Sequence, residues 1–186
     1  LSEIKSVLAD TSWQILSLQD FPEIKPIAET GSTFRENALL KARIVFQHTS
    51  LLTLADDSGL EVDALSGAPG VTSARYAGPE HDYAANNRKL LKSLEGIPAG
   101  QRQAQFRCVV AIVGNGIEKI VEGVVRGQII QELRGRSGFG YDPLFVPDGY
   151  DKTYAELGEG IKNRISHRAI AFRKALILVE QLLDTR

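Results

Sequence analysis

Methionine is absent from this chain of 186 residues, and cysteine occurs once, at Cys108. Translation starts on methionine, so the expectation is that Leu1 lies downstream of a native start. One cysteine cannot close an internal disulfide, and no Cys/His spacing matches a zinc site. A reducing, cytoplasmic compartment is expected. Long apolar runs are also missing: stretches such as residues 108–113 and 175–179 fall far short of the ~20 residues that span a bilayer. Neither sign of charge is in excess, with 22 Lys plus Arg against 23 Asp plus Glu and a net charge of −1. That balance argues against a general pull toward nucleic acid or anionic membrane, so any polyanion bound here must be small and recognised locally. No repeat, low-complexity tract or Pro/Gly/Ser-rich linker interrupts the chain, which reads as one domain over residues 1–186.

What is present is an alternation of short apolar strands and amphipathic helices, the pattern of an α/β domain with mixed α+β character. Ile4, Val7 and Leu8 suggest a helix already under way, and residues 13–18 read as a strand. The clearest helix covers residues 33–47, where Phe34, Ala38, Ala42 and Val45 share one stripe and Thr33 with Glu36 makes a capping pair. Residues 51–55 read as a buried strand ending in Asp56-Asp57-Ser58-Gly59, and residues 82–94 as a second helix with Leu90, Leu91 and Leu94 inward. Two strand-like runs, 104–113 and 117–125, flank Gly114-Asn115-Gly116, a hairpin signal that sets an antiparallel pair beside any parallel pairing. A final helix over 166–183 opens on Ser166, a residue suited to cap it.

Three clusters carry chemistry. Asp56 and Asp57 sit at the end of an apolar strand, with Glu29 and Glu36 on the preceding segment. A few carboxylates at such a position suffice for a metal-phosphate site, since Mg²⁺ takes one or two carboxylates together with waters and substrate phosphates. The same Asp-Asp-Ser-Gly could equally be a polar turn, and Glu36 could simply complete its own capping box. Lys41, one turn after Asn37, is placed to reach toward Asp57, or to lie along the surface as an ordinary lysine. The second cluster is basic: Lys162, Arg164, His167 and Arg168 lie just before and at the start of the last helix, where cations oppose the helix dipole and would sharpen an anion site. A solvated charged loop is the plainer account, and for Arg164 the preferred one. The third is the loop from Gly135 to Pro143, in which Phe139 or Tyr141 could stack on a flat base while Asp142 and backbone groups read its edge. A tight turn with Phe139 buried is the alternative.

Together these stretches resemble the inosine triphosphate pyrophosphatase family, which hydrolyses non-standard purine nucleoside triphosphates. The similarity rests on GSTFRENALLKA (31–42), LADDSGLEVDALSGAPGVTSARYAG (54–78), SGFGYDPLFVPDG (137–149) and ISHRAIA (165–171), in the family's order and spacing over nearly the whole chain. The resemblance implies two lobes around a central cleft on a long mixed sheet, and a homodimer. It implies that Asp57 binds Mg²⁺ and accepts the proton of the attacking water, with Ser58 contacting substrate. Glu29 and Glu36 would be further metal-associated acids, and Lys41 would contact phosphate. Phe139, Gly140, Tyr141 and Asp142 would form the base loop, while Lys162, His167 and Arg168 would hold base and phosphates. The family's opening strand and phosphate-cradling loop have no counterpart here, so that part of the triphosphate site is expected to be lost with the native start.

The implied activity is Mg²⁺-dependent hydrolysis of ITP, dITP or XTP to the monophosphate and pyrophosphate, clearing these from the nucleotide pool. A 6-keto group would accept hydrogen bonds from donors such as Lys162 or Arg168, whereas an adenine amino group would present a donor to donors. Two other readings remain open: a pyrophosphatase of modified pyrimidine or methylated nucleotides, and a nucleotide-binding module without turnover. Nucleic acid and membrane are not expected partners.

Overall fold

A computed structural model describes residues 13–184, so the helix expected around Ile4, Val7 and Leu8 lies outside the described residues. Helix α1, Phe34–Thr49, forms where the sequence places it. Thr33 is its N-cap, in extended backbone, with Oγ1 accepting the Glu36 N–H at 3.1 Å. The buried stripe is Phe34, Asn37, Ala38, Leu39 and Ala42, so an asparagine shares the apolar face. Helix α2, Tyr83–Ser93, is capped by Asp82, whose Oδ1 accepts from the Ala85 N–H at 3.0 Å.

Four strands follow in chain order: β1, Thr53–Val62; β2, Gln103–Gly114; β3, Ile117–Ile129; and β4, Phe145–Pro147. They make one antiparallel sheet in the spatial order β1-β2-β3-β4. The Asn115-Gly116 turn closes the β2–β3 hairpin as expected, and β4 adds to β3 with Gly127 opposite Pro147 and Ile129 opposite Phe145. A Cβ on Gly127 would lie 2.2 Å from the Val146 carbonyl oxygen, so only glycine lets these backbones approach. Beyond the sheet come helix α3, Tyr154–Ile165, and helix α4, His167–Asp184.

Several expectations need correction. Residues 13–17 form no strand, and a short 3-10 turn, Leu18–Asp20, follows them. Asp56-Asp57-Ser58-Gly59 is neither a turn nor a strand end: β1 runs straight through it. The strand can continue because Asp57, on a buried face, receives hydrogen-bond partners, whereas a bare carboxylate there would be expelled. The basic approach to the last helix is itself helix α3, so Lys162 and Arg164 occupy a last helical turn, where cations favour the helix dipole instead of opposing it. Glycines at 158 and 160 hide this helix from a propensity reading; the Thr153 cap and burial of Tyr154 and Ala155 form its first turn, and Gly158, at φ +76° and ψ 169°, kinks the chain before the turns that carry Lys162 and Arg164.

The chain divides into two compact units. One holds the described residues up to Asp57, Cys108–Gly123 and those from Arg168 onward; the other holds Ser58–Arg107 and Val124–His167. Each has its own core. In the first, Cys108, Val110 and Ile112 of β2 pack with Ala171, Phe172, Ala175 and Val179 of α4. In the second, Leu60 and Val62 of β1, Leu90 and Leu94, Phe106, Phe145 and Tyr154 pack together. Strand β2 shows the difference along its own length. Ala104 and Phe106 alternate with exposed or half-buried Gln103, Gln105 and Arg107, whereas from Cys108 to Gly114 every residue is buried. Asp57 and Ser58, and likewise His167 and Arg168, are chain neighbours assigned to different units.

Candidate functional site

In the first unit the chemistry gathers on Asp57. Its position in β1 turns the side chain onto the face covered by α1, and the residue is 8% exposed. Asn37 Nδ2 donates to Asp57 Oδ2 at 3.0 Å, while Asn37 Oδ1 accepts the Gly31 N–H at 2.7 Å. One amide thus fixes the carboxylate and ties down the segment carrying Glu29. Lys41 Nζ lies 2.7 Å from Glu29 Oε1 and 3.5 Å from Asp57 Oδ1, so its ammonium sits between the two acids. Burial pushes the Asp57 carboxyl above its ordinary value; Lys41 and Asn37 act against that rise and Glu29 adds to it. The result is a desolvated, oriented carboxylate that is a better proton acceptor than an exposed aspartate.

Glu36 is turned elsewhere. Its Oε2 accepts from the Ser32 N–H at 2.7 Å and from the Ser32 hydroxyl at 2.8 Å, which holds its carboxyl below the usual range. It closes the start of α1 and is not brought to Glu29 and Asp57.

Asp56 points to the other side of β1. Arg168 Nε donates to Asp56 Oδ2 at 3.0 Å, and the Cys108 thiol, pushed up by burial, lies 3.7 Å from the same oxygen. The sequence reading named Asp56 only as half of an acidic pair. Its separate role follows from strand alternation, which a strand ending at residue 55 conceals.

In the second unit the Gly135–Pro143 loop presents one aromatic and buries the other. Phe139 is 47% exposed, so it does not enter the core. Tyr141 is 3% exposed and its hydroxyl donates to the Ser73 carbonyl at 2.8 Å, so it anchors the loop and cannot act as the stacking ring. Burial pushes its phenol up. Asp142 is turned inward: Oδ2 accepts from the Phe139 N–H at 2.9 Å and from Lys162 Nζ at 2.5 Å. Gly138 has a φ of +82°, and a Cβ there would fall 2.1 Å from Asp142 Oδ2, so the carboxylate occupies the space that any side chain would need. Lys162, buried like its partner, also sits 4.0 Å over the Phe139 ring. His167 is buried and stacks on Phe106, with centroids 4.8 Å apart and planes 12° from parallel. Ser58 is half-buried in β1. Gly140 is held through its carbonyl, which accepts from Asn87 Nδ2 at 2.9 Å. Asn87 was not singled out from the sequence; an amide within a leucine-rich helix face was the available signal.

A model of the Ham1 family matches residues 1–177. The chain belongs to the Ham1 family. Its similarity to a protein named dITP/XTP pyrophosphatase from Desulforamulus reducens is 49% identity, covering 98% of this chain and 91% of that protein. With the protein of that name from Bacillus subtilis it is 48%, covering 97% and 91%. Among solved structures, a Ham1 protein from Coxiella burnetii superposes with a TM-score of 0.89 at 41% identity, covering 97% of this chain and 92% of that one. The Staphylococcus aureus Ham1 protein gives 0.88 at 39%, with the same coverage. Ham1 membership and the mixed α/β class therefore agree with the fold described above.

No group of three or more His, Cys, Asp or Glu side chains gathers as a metal cage among the described residues. Asp57 and Glu29 still fit a divalent cation: both offer hard carboxylate oxygens around one cationic group, the set that Mg²⁺ shares with substrate phosphates. No helix of the described residues is long and apolar enough to cross a membrane.

Proposed function

We propose that this Ham1-family chain hydrolyses non-standard purine nucleoside triphosphates, dITP, XTP and ITP, to the monophosphate and pyrophosphate with Mg²⁺. The observation that carries the reading is Asp57, a buried carboxylate held by Asn37 and Lys41, in a chain about half identical to proteins named dITP/XTP pyrophosphatase.

Asp57 accepts the proton of the attacking water, and its desolvation strengthens it as a base at neutral pH. Lys41 moves between Glu29 and Asp57 in the resting protein and phosphate oxygens when substrate is bound, neutralising charge as the anhydride breaks. Asp57 and Glu29 would hold Mg²⁺, which when bound polarises phosphate oxygens; Glu36 stays with Ser32 as part of the helix cap. Arg168, steadied by Asp56, offers a guanidinium to phosphate or base. In the other unit Phe139 provides the stacking face and Lys162 a donor for the 6-keto oxygen. His167 stiffens the start of α4 through Phe106.

The reading includes a cytoplasmic homodimer, checked by sedimentation and fractionation of the full-length protein. Pyrophosphate release from the full-length protein is measured with dITP, XTP, ITP, GTP and dTTP. The expected result is preference for the first three and loss of turnover in Asp57→Asn. A preference for dTTP would favour pyrimidine substrates, and intact turnover in Asp57→Asn would remove the assigned role of that carboxylate.

A further inference from the structure

Tyr83 is the first residue of α2 and 47% exposed, the same fraction as Phe139. Their ring centroids lie 6.3 Å apart with planes inclined by 41°. Two large rings side by side at a surface offer an apolar face that a flat ligand can cover. Their surroundings specify what that would be. The Lys162 ammonium stands 4.0 Å over the Phe139 ring, so the aromatic corner carries a hydrogen-bond donor at its side. An apolar face with a polar rim is the complement of a nucleobase, which stacks through its faces and hydrogen-bonds through its edge.

The helix and loop that carry the two rings are braced against each other. Asn87, one helical turn after Tyr83 on the same face of α2, donates to the Gly140 carbonyl at 2.9 Å and fixes the helix to the loop. Asn86, buried, accepts the Ala77 N–H at 2.6 Å and donates to the Ala74 carbonyl at 3.0 Å, which anchors the helix from its other side. Asp142 holds the Phe139 backbone N–H, so the ring projects from a braced loop. These bonds fix the backbones from which the two rings project.

We propose that Tyr83 is a further base-binding residue, forming with Phe139 a two-ring corner that receives the purine. This rests on the reading of the Phe139 loop as a base platform. Tyr83 enlarges the stacking surface, while hydrogen-bond discrimination stays with Lys162 and the loop.

The test uses the full-length protein with dITP and XTP, comparing Tyr83→Ala, Tyr83→Leu and Tyr83→Phe with Phe139→Ala, with thermal melting to confirm folding. Loss of one stacking ring is expected to raise KM about tenfold with kcat little changed. Tyr83→Ala and Tyr83→Leu should both show this, and Tyr83→Phe should behave like the unaltered protein. Leucine keeps apolar volume at the helix start, so it decides the matter if the alanine variant folds poorly. Unchanged KM in Tyr83→Leu beside a raised KM in Phe139→Ala overturns the role of Tyr83 and leaves the function standing. Unchanged KM in Phe139→Ala as well overturns the platform itself.

Discussion

At the scale of single residues, Asp57 shows how a buried carboxylate opposes stability. Its pKa is raised from 3.8 by burial, so the folded chain binds this proton more tightly than the unfolded chain does. Ionising it therefore costs stability. That cost is absent below the unfolded value and fully present once pH exceeds the folded one. Asp57→Asn should lower turnover by ~10²–10⁴-fold while melting no lower than the unaltered protein at neutral pH. The melting difference should grow in favour of the variant as pH rises from about 3.8, the reference value for this carboxyl, which scanning calorimetry across pH would show. A melting advantage that shrinks over that range would contradict the burial account. The Lys162–Asp142 pair behaves differently, because both partners are buried. Lys162→Met strands a carboxylate in the core and should cost about 3–5 kcal/mol, with part recovered by adding Asp142→Asn. Urea denaturation of the single and double variants measures both numbers. The residue types at these positions were legible in the sequence, but their pairing was not: Asp142 reads as a base contact until Lys162 is seen 2.5 Å away.

At the scale of elements, caps and close approaches decide where structure starts. Thr153 caps α3 with a full capping box: its side chain accepts from the Glu156 N–H, and Glu156 accepts from the Thr153 N–H at 2.8 Å. Its hydroxyl also donates to the Arg134 carbonyl at 2.8 Å, joining the helix to the loop's origin. Thr153→Ala should lose about 1–2 kcal/mol, read from the midpoint of chemical denaturation. The box was present in the chain as Thr-x-x-Glu, yet two glycines after it weaken any propensity-based reading of a helix. Helices α1 and α2, with strong stripes and good caps, were readable to within a few residues. Strand β1 was readable only in its first three residues, because alternation fails where two acids and a glycine occupy the strand and partners on α1 compensate.

At the scale of the molecule, two cores are filled by side chains, with no metal cage among the described residues. Removing divalent cations should stop turnover while leaving the far-UV circular dichroism spectrum unchanged, and added Mg²⁺ should restore activity. A spectrum that collapses on chelation would instead make the metal structural. The placement of the candidate residues follows the same division. Asp57, Lys41, Glu29 and Arg168 belong to one unit, and the Phe139 loop, Lys162 and His167 to the other.

The sequence by itself determined the family, the mixed α/β class, the hairpin and the residue types of each candidate cluster, because motif order and apolar periodicity are local properties of a chain. Tertiary structure alone decided that Tyr141 is an anchor, that Glu36 belongs to its helix cap, that Asp56 serves Arg168, and that Tyr83 stands beside Phe139. For Tyr141, Asp56 and Tyr83 the outcome depends on burial and on partners distant in sequence, whereas for Glu36 the fold chose between two readings that the chain left open, in favour of its neighbour Ser32. The lone cysteine follows the same rule. Composition excluded a disulfide, and only the fold showed Cys108 in an apolar core, its thiol pushed up by burial.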